Sequence, residues 1–168
     1  ETADFPRVEL GDEISCTINN SDYFHTSGTI VNSGTITNSN YIRNAGNGAV
    51  ITNTNTINNT NTGTIKNLAP IINSGTINND GTIVNSNTIN HVFPSATYSG
   101  AGTFTNTNTG EITISGILST SKNLNALGYP TGITQFYVSS DPLAINPGST
   151  LTIPPGFTLT NSGTITNG

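Results

Sequence analysis

Charge, cysteine and methionine are what this sequence has least of. Charged residues make up 8 % of 168, against about 25 % in an ordinary soluble domain. Four Lys plus Arg and a net charge of −5 leave no basic stripe to neutralise phosphates, which excludes nucleic-acid binding. No apolar run approaches the roughly 20 residues of a membrane span, so no span is expected. The single cysteine, Cys16, has no partner in the chain, and an internal disulfide framework is excluded. Methionine is absent and the chain begins at Glu1, which we read as processing, with a removed signal peptide and an extracellular or cell-surface location as the expectation. A polar chain without cross-links needs regular backbone pairing instead.

What is present is Asn, Thr, Ser and Gly, more than half the residues, together with 20 Ile. So many β-branched residues at so low a net charge argue against disorder. Self-similarity is immediate: Ile-x-Asn followed by Ser, Thr, Gly or Asn recurs every six residues. Its apolar residue falls at Ile30, Ile36 and Ile42, at Ile51 and Ile57, then at Ile65, Ile71, Ile77, Ile83 and Ile89. Near the C-terminus the same spacing links Ile145, Leu151 and Phe157, and in a second phase Ile153, Leu159 and Ile165.

Within each unit, Thr-Ile-x-Asn alternates with period two, as a short strand with one buried face does. Ser-Gly, Ser-Asn or Asn-Asp-Gly then supplies a corner. One strand and corner cannot bury its Ile alone. Three such sides closing a triangle give a coil of roughly 18 residues, stacked on the next at the inter-strand spacing of about 4.8 Å. The fold class expected is all-β, a parallel β-solenoid with a triangular section, very little helix and an open C-terminal end. Its core ladder is Ile30, Ile36, Ile57, Ile77, Ile83 and Ile89. The inward Asn residues are affordable only as ladders, since a buried amide without a partner costs about 1–3 kcal/mol.

The whole chain reads as one domain in four stretches. Residues 1–20 hold five of the nine acids and read as a first coil, a cap or a donated strand. Residues 21–90 carry the regular hexads, interrupted by a Gly-rich loop at 44–49 and by 68–70. Residues 91–143 lose the hexad and hold most of the aromatic residues, as a decoration, a wider coil or a docking subregion. Residues 144–168 resume strands.

The unit Asn-Ser-Gly-Thr-Ile-x-Asn at residues 32–38 and 73–79 resembles the repeats of secreted bacterial adhesins of the filamentous-haemagglutinin and autotransporter-passenger type. The likeness covers residues 27–90 and 144–168. The stretch 151–159 is similar to segments of microbial extracellular repeat proteins. What the resemblance implies is an exported surface or matrix protein acting through a repetitive face, with no catalytic residue carried over.

Candidate chemistry is sparse, and no enzyme is expected. Some β-helices cleave acidic polysaccharides with clustered Asp, Lys and Arg, but Arg43, Lys66, Asp80 and Glu111 are scattered along the chain. His25 and His91 are the only histidines that an acyltransferase-type coil could use, and both read as surface or corner residues. Cys16 alternates with Ile14 and Ile18 and reads as a buried small thiol. Asp12, Glu13 and Asp22 match no Ca²⁺ motif and read as a solvated acidic end; no cofactor or metal is expected. Asn19 and Asn58 are the only glycosylation sequons.

Two functions follow. The first is self-assembly into a head-to-tail homopolymer, because a solenoid end is a ring of unpaired backbone groups. The expected interface joins Leu10, Ile14, Cys16 and Ile18 at one end to Leu159, Thr164, Ile165, Thr166 and Asn167 at the other; alternatively, residues 3–10 are donated as a strand. The second is binding, to ice or as an adhesive to cell-surface glycans or other cells, through Thr and Asn set two apart at 52–56, 60–64 and 103–109.

Overall fold

The computed structural model describes residues 17–107 and 109–168 in full and residues 12–14 by their backbone. Short strands follow one another in chain order. The first seven are β1 (Asp12–Ile14), β2 (Thr17–Asn20), β3 (Tyr23–Thr26), β4 (Thr29–Asn32), β5 (Thr35–Asn38), β6 (Tyr41–Asn44) and β7 (Val50–Asn53). Next come β8 (Thr56–Asn59), β9 (Thr64–Asn67), β10 (Ile71–Asn73), β11 (Thr76–Asn79), β12 (Thr82–Asn85), β13 (Thr88–Phe93), β14 (Thr97–Ser99) and β15 (Thr103–Asn106). The last are β16 (Glu111–Leu118), β17 (Lys122–Asn123), β18 (Gln135–Val138), β19 (Leu143–Ile145), β20 (Leu151–Thr152), β21 (Thr158–Asn161) and β22 (Ile165–Asn167). A single 3₁₀ turn at Leu124–Ala126 is the helical content of the described residues.

Every strand pair is parallel, and from β1 to β16 consecutive strands lie on different sides of a three-sided coil. Side I runs β1-β4-β7-β10-β13-β16-β18-β21, with β19 also on β16 and β22 on β19. Side II is β2-β5-β8-β11-β14 and side III is β3-β6-β9-β12-β15. The protein is a parallel β-solenoid. Its coil is 18 residues where no loop intervenes, as from Ile18 to Ile36 and from Ile71 to Ile89, and it is longer where loops enter, as in the 23 residues between Ile42 and Ile65. The extra residues leave at corners, including the loop after Asn44, where Gly46 and Gly48 take positive φ.

The strands form because their alternation matches the coil. In β4 to β9 the second and fourth residues are buried and the first and third are not. Ile30, Ile36, Ile57, Ile77, Ile83 and Ile89 are all buried, each against the equivalent residue one coil away. Removing one such side chain from water is worth roughly 2 kcal/mol. Corner glycines let successive coils close up: a Cβ added to Gly75 would strike the backbone of Asn55 in the coil below.

Beyond β12 the same columns are filled by rings. Tyr98 follows Ile77 on side II, and Phe104 follows Ile83 on side III. Tyr129 lies stacked on Tyr98 with centroids 4.5 Å apart, and Phe136 sits 0 % exposed beneath Phe157. In residues 91–143, β13, β16, β18 and β19 extend side I, and β16 passes through Gly116 at φ +86°. The coils lengthen along this stretch, from 23 residues between Ile89 and Ile112 to 24 between Thr113 and Tyr137 and 27 between Gly116 and Leu143.

Candidate functional site

The interior is threaded by three asparagine ladders. On side II, Asn20 Nδ2 donates to Asn38 Oδ1, Asn38 to Asn59 and Asn59 to Asn79, each at 2.7 Å. On side I, Asn32 donates to Asn53 at 2.7 Å and Asn53 to Asn73 at 2.8 Å. On side III, Asn44 donates to Asn67, Asn67 to Asn85 and Asn85 to Asn106, at 2.8–2.9 Å. The second Nδ2 hydrogen reaches a carbonyl that opens the following strand of the next coil, as from Asn32 to Thr56 O at 2.9 Å. Each amide therefore ties two coils together and fixes the next corner.

All these bonds run in one direction. The coil nearer the N-terminus donates and the coil nearer the C-terminus accepts, so the solenoid has a donor end and an acceptor end. At the acceptor end Asn32 Oδ1 and Asn44 Oδ1 are buried without partners among the described residues. Below Asn44 the register places Thr26, whose hydroxyl donates to Gly28 O instead.

The last rung is open. β21 pairs with β18 and β22 with β19, and among the described residues neither has a partner on its outer edge. Leu159 shares a register with buried Phe136, and Ile165 with buried Leu143. Leu159 is nonetheless half-exposed, Ile165 is 37 % exposed, and Thr164, Thr166 and Asn167 are exposed. Residues 161–167 repeat residues 32–38 without a change.

At the opposite end Ile18 is partly buried against the core, and among the described residues β2 pairs with β5 alone. Ile14 lies in β1, whose backbone pairs with Asn32 of β4. Its side chain lies outside the described residues, as do Leu10, Cys16 and the segment 3–10. Of the expected interface, Ile14 and Ile18 thus lie in the first described strands, and Leu159, Ile165, Thr166 and Asn167 in the last two.

Two sequence-based readings are corrected. His91 is 1 % exposed, not at a surface or corner: it takes the place after Asn73 in the side I column, packed against Phe93 and Tyr129. Its Nδ1 has no partner. Burial first, and the positive charge of Lys122 second, pull its pKa down to about 4. The column position was the available signal, since Asn73 to His91 is one 18-residue coil. Nor are Arg43 and Lys66 scattered: they stand in one column on side III above His25, with Arg43 Nη1 3.0 Å from His25 Nε2. The loop after Asn44 lengthens that coil and hides the alignment in the sequence.

The outer faces differ. Side II carries an unbroken column of Thr17, Thr35, Thr56, Thr76 and Thr97 beside a second column of Asn19, Thr37, Asn58, Asn78 and Ser99. Sides I and III interrupt theirs with Val50 and Ile72 or with Tyr41 and Val84. Among the described residues no group of three or more His, Cys, Asp or Glu converges. Tyr98 and Tyr129 are phenols held in the core, burial pushing the first up to about 12 and the second higher still.

Comparison with protein-family models, with curated proteins and with solved structures finds no match.

Proposed function

We propose that this protein is a structural subunit of an extracellular filament or cell-surface fibre, a homopolymer built head to tail without catalysis. The observation that carries the reading is the open last rung. Leu159 and Ile165 occupy core positions yet remain accessible, beside two unpaired strand edges. Such an edge templates further pairing, and a contact between unlike ends does not close on itself, so it propagates as a fibre. Stacking of ends, or donation of residues 3–10 as a strand, would each propagate it. The likeness of the repeats to secreted adhesins fits a surface location and a repetitive face available to glycans or other cells.

Sedimentation velocity and negative-stain electron microscopy of the 168-residue chain test this. Unbranched rods that lengthen with concentration are expected. Monomers alone at millimolar concentration would overturn it.

A second reading is favoured by one observation, the two unbroken polar columns of side II. Hydroxyls and amides repeating at the strand spacing on a flat face suit an ordered water or sugar lattice. Thermal hysteresis from the monomer, lost on Thr56→Lys, is the expected result if ice is the ligand; its absence excludes ice.

A further inference from the structure

We infer that the junction between subunits is one specific strand pair, β22 of one copy beneath β2 of the next, in the register that joins Ile165 to Ile18 and Asn167 to Asn20. The inference rests on the head-to-tail reading above and names its contact. Its ground is that this pair already exists inside the molecule. β22 with the residue before it reads Thr164-Ile165-Thr166-Asn167, the sequence of β5, Thr35-Ile36-Thr37-Asn38. β2 reads Thr17-Ile18-Asn19-Asn20, the sequence of β8, Thr56-Ile57-Asn58-Asn59. β5 lies beneath β8 with Ile36 on Ile57, Thr37 on Asn58 and Asn38 on Asn59. The junction repeats that contact residue for residue.

Polarity agrees with it. Asn38 Nδ2 donates to Asn59 Oδ1 at 2.7 Å, so Asn167 Nδ2 is the donor and Asn20 Oδ1 of the partner subunit the acceptor. Asn20 Nδ2 already donates upward to Asn38, which leaves its Oδ1 for a donor below. The corner is matched too. Asn32, two residues before Gly34, donates to Thr56 O at 2.9 Å, and Asn161, two residues before Gly163, holds the same place relative to the partner's Thr17 O. The reverse order, head to head or tail to tail, would set acceptor against acceptor or donor against donor.

The outward pair on this junction is Thr166 and Asn19, the counterpart of Thr37 and Asn58. Adjacent parallel residues at about 4.8 Å fall within disulfide reach, whereas Thr166 and Thr17 stand roughly 8 Å apart and fall outside it. In a Cys16→Ser background, Thr166→Cys and Asn19→Cys chains are mixed and mildly oxidised. A disulfide-linked pair is expected from the mixture, neither variant alone giving it, and mixing Thr166→Cys with Thr17→Cys is expected to give at most about a tenth as much. Filaments with no 166–19 link, or with equal linking to position 17, would overturn the junction and leave the polymer standing. A chain that never polymerises overturns both. Asn167→Ala, at a position exposed in the monomer, supplies a second measurement. It is expected to raise the critical concentration about tenfold, by leaving the partner's Asn20 Oδ1 without a donor, with no change in monomer melting. An unchanged critical concentration would overturn the amide contact.

Discussion

An amide donates and accepts along nearly one line, which is why asparagine can fill an interior position that otherwise belongs to isoleucine. Asn59 shows what each rung contributes. Its Oδ1 accepts from Asn38, and its Nδ2 donates to Asn79 Oδ1, Gly63 O and Thr82 O. Asn59→Ala strands partners on three sides and is expected to cost about 2–4 kcal/mol, whereas Asn58→Ala on the outer face stays within about 0.5 kcal/mol. Urea denaturation of the two variants measures the difference, and equal losses would contradict a structural role for the ladders. His91 is the ladder position where the chemistry changes. Its pKa lies near 4 in the folded protein, below its ordinary value of 6.5, so the unfolded chain binds its proton more readily. The stability that neutral His91 contributes is therefore complete above pH 6.5 and is lost progressively as pH falls towards 4, a loss of a few kcal/mol at most. His91→Asn is expected to flatten that slope in melting temperature against pH while lowering stability at pH 7, since the smaller amide leaves a gap beside Phe93. A slope as steep as the parent's would assign the pH response to other groups.

Strands and corners answer to different constraints. A strand here needs only alternation, which tolerates many residue types on the outer face; a corner needs room against the coil below. Gly75→Ala is expected to cost more than about 2 kcal/mol, because its new Cβ meets the backbone of Asn55. Gly132→Ala, which meets nothing within 4 Å and needs no positive φ, is expected to be neutral or slightly stabilising. Thermal melts of the two variants separate space from conformation. The same distinction explains what could be read in advance. The strands between Thr29 and Asn90 were legible because Ile and Asn return with a fixed period, and the period alone implies stacked coils. The wider coils of 91–143 were not, because the longer strands β13 and β16 and the stretch between Asn106 and Gln135 break the six-residue period, although Thr103-Phe104-Thr105-Asn106 keeps the unit itself. The open last rung was legible from Ile165 and Asn167. The cation column was not: alignment of Arg43 with Lys66 depends on loop residues that change the count without moving the strands.

At the scale of the molecule, the ladders make the axis polar and the scarcity of charge makes its tail neutral. No charged residue follows Asp141, so in the proposed polymer the rung formed by β21 and β22 would bring no charged side chain to its neighbour. In that polymer, adhesion between the ends would come from burial of Ile165, from backbone pairing and from amide bonds, none of which salt screens strongly. The critical concentration is accordingly expected to change less than about twofold between roughly 0.05 and 0.5 M sodium chloride, a range over which the Debye length falls from about 14 to about 4 Å. Sulfate, which is excluded from protein surface and strengthens apolar burial, is expected to lower it. Light scattering against concentration at each salt measures both. A tenfold rise with sodium chloride would instead place charged contacts at the junction, and only the acidic head, with no basic residue on the tail to receive it, could supply them; that outcome would move the contact away from β22.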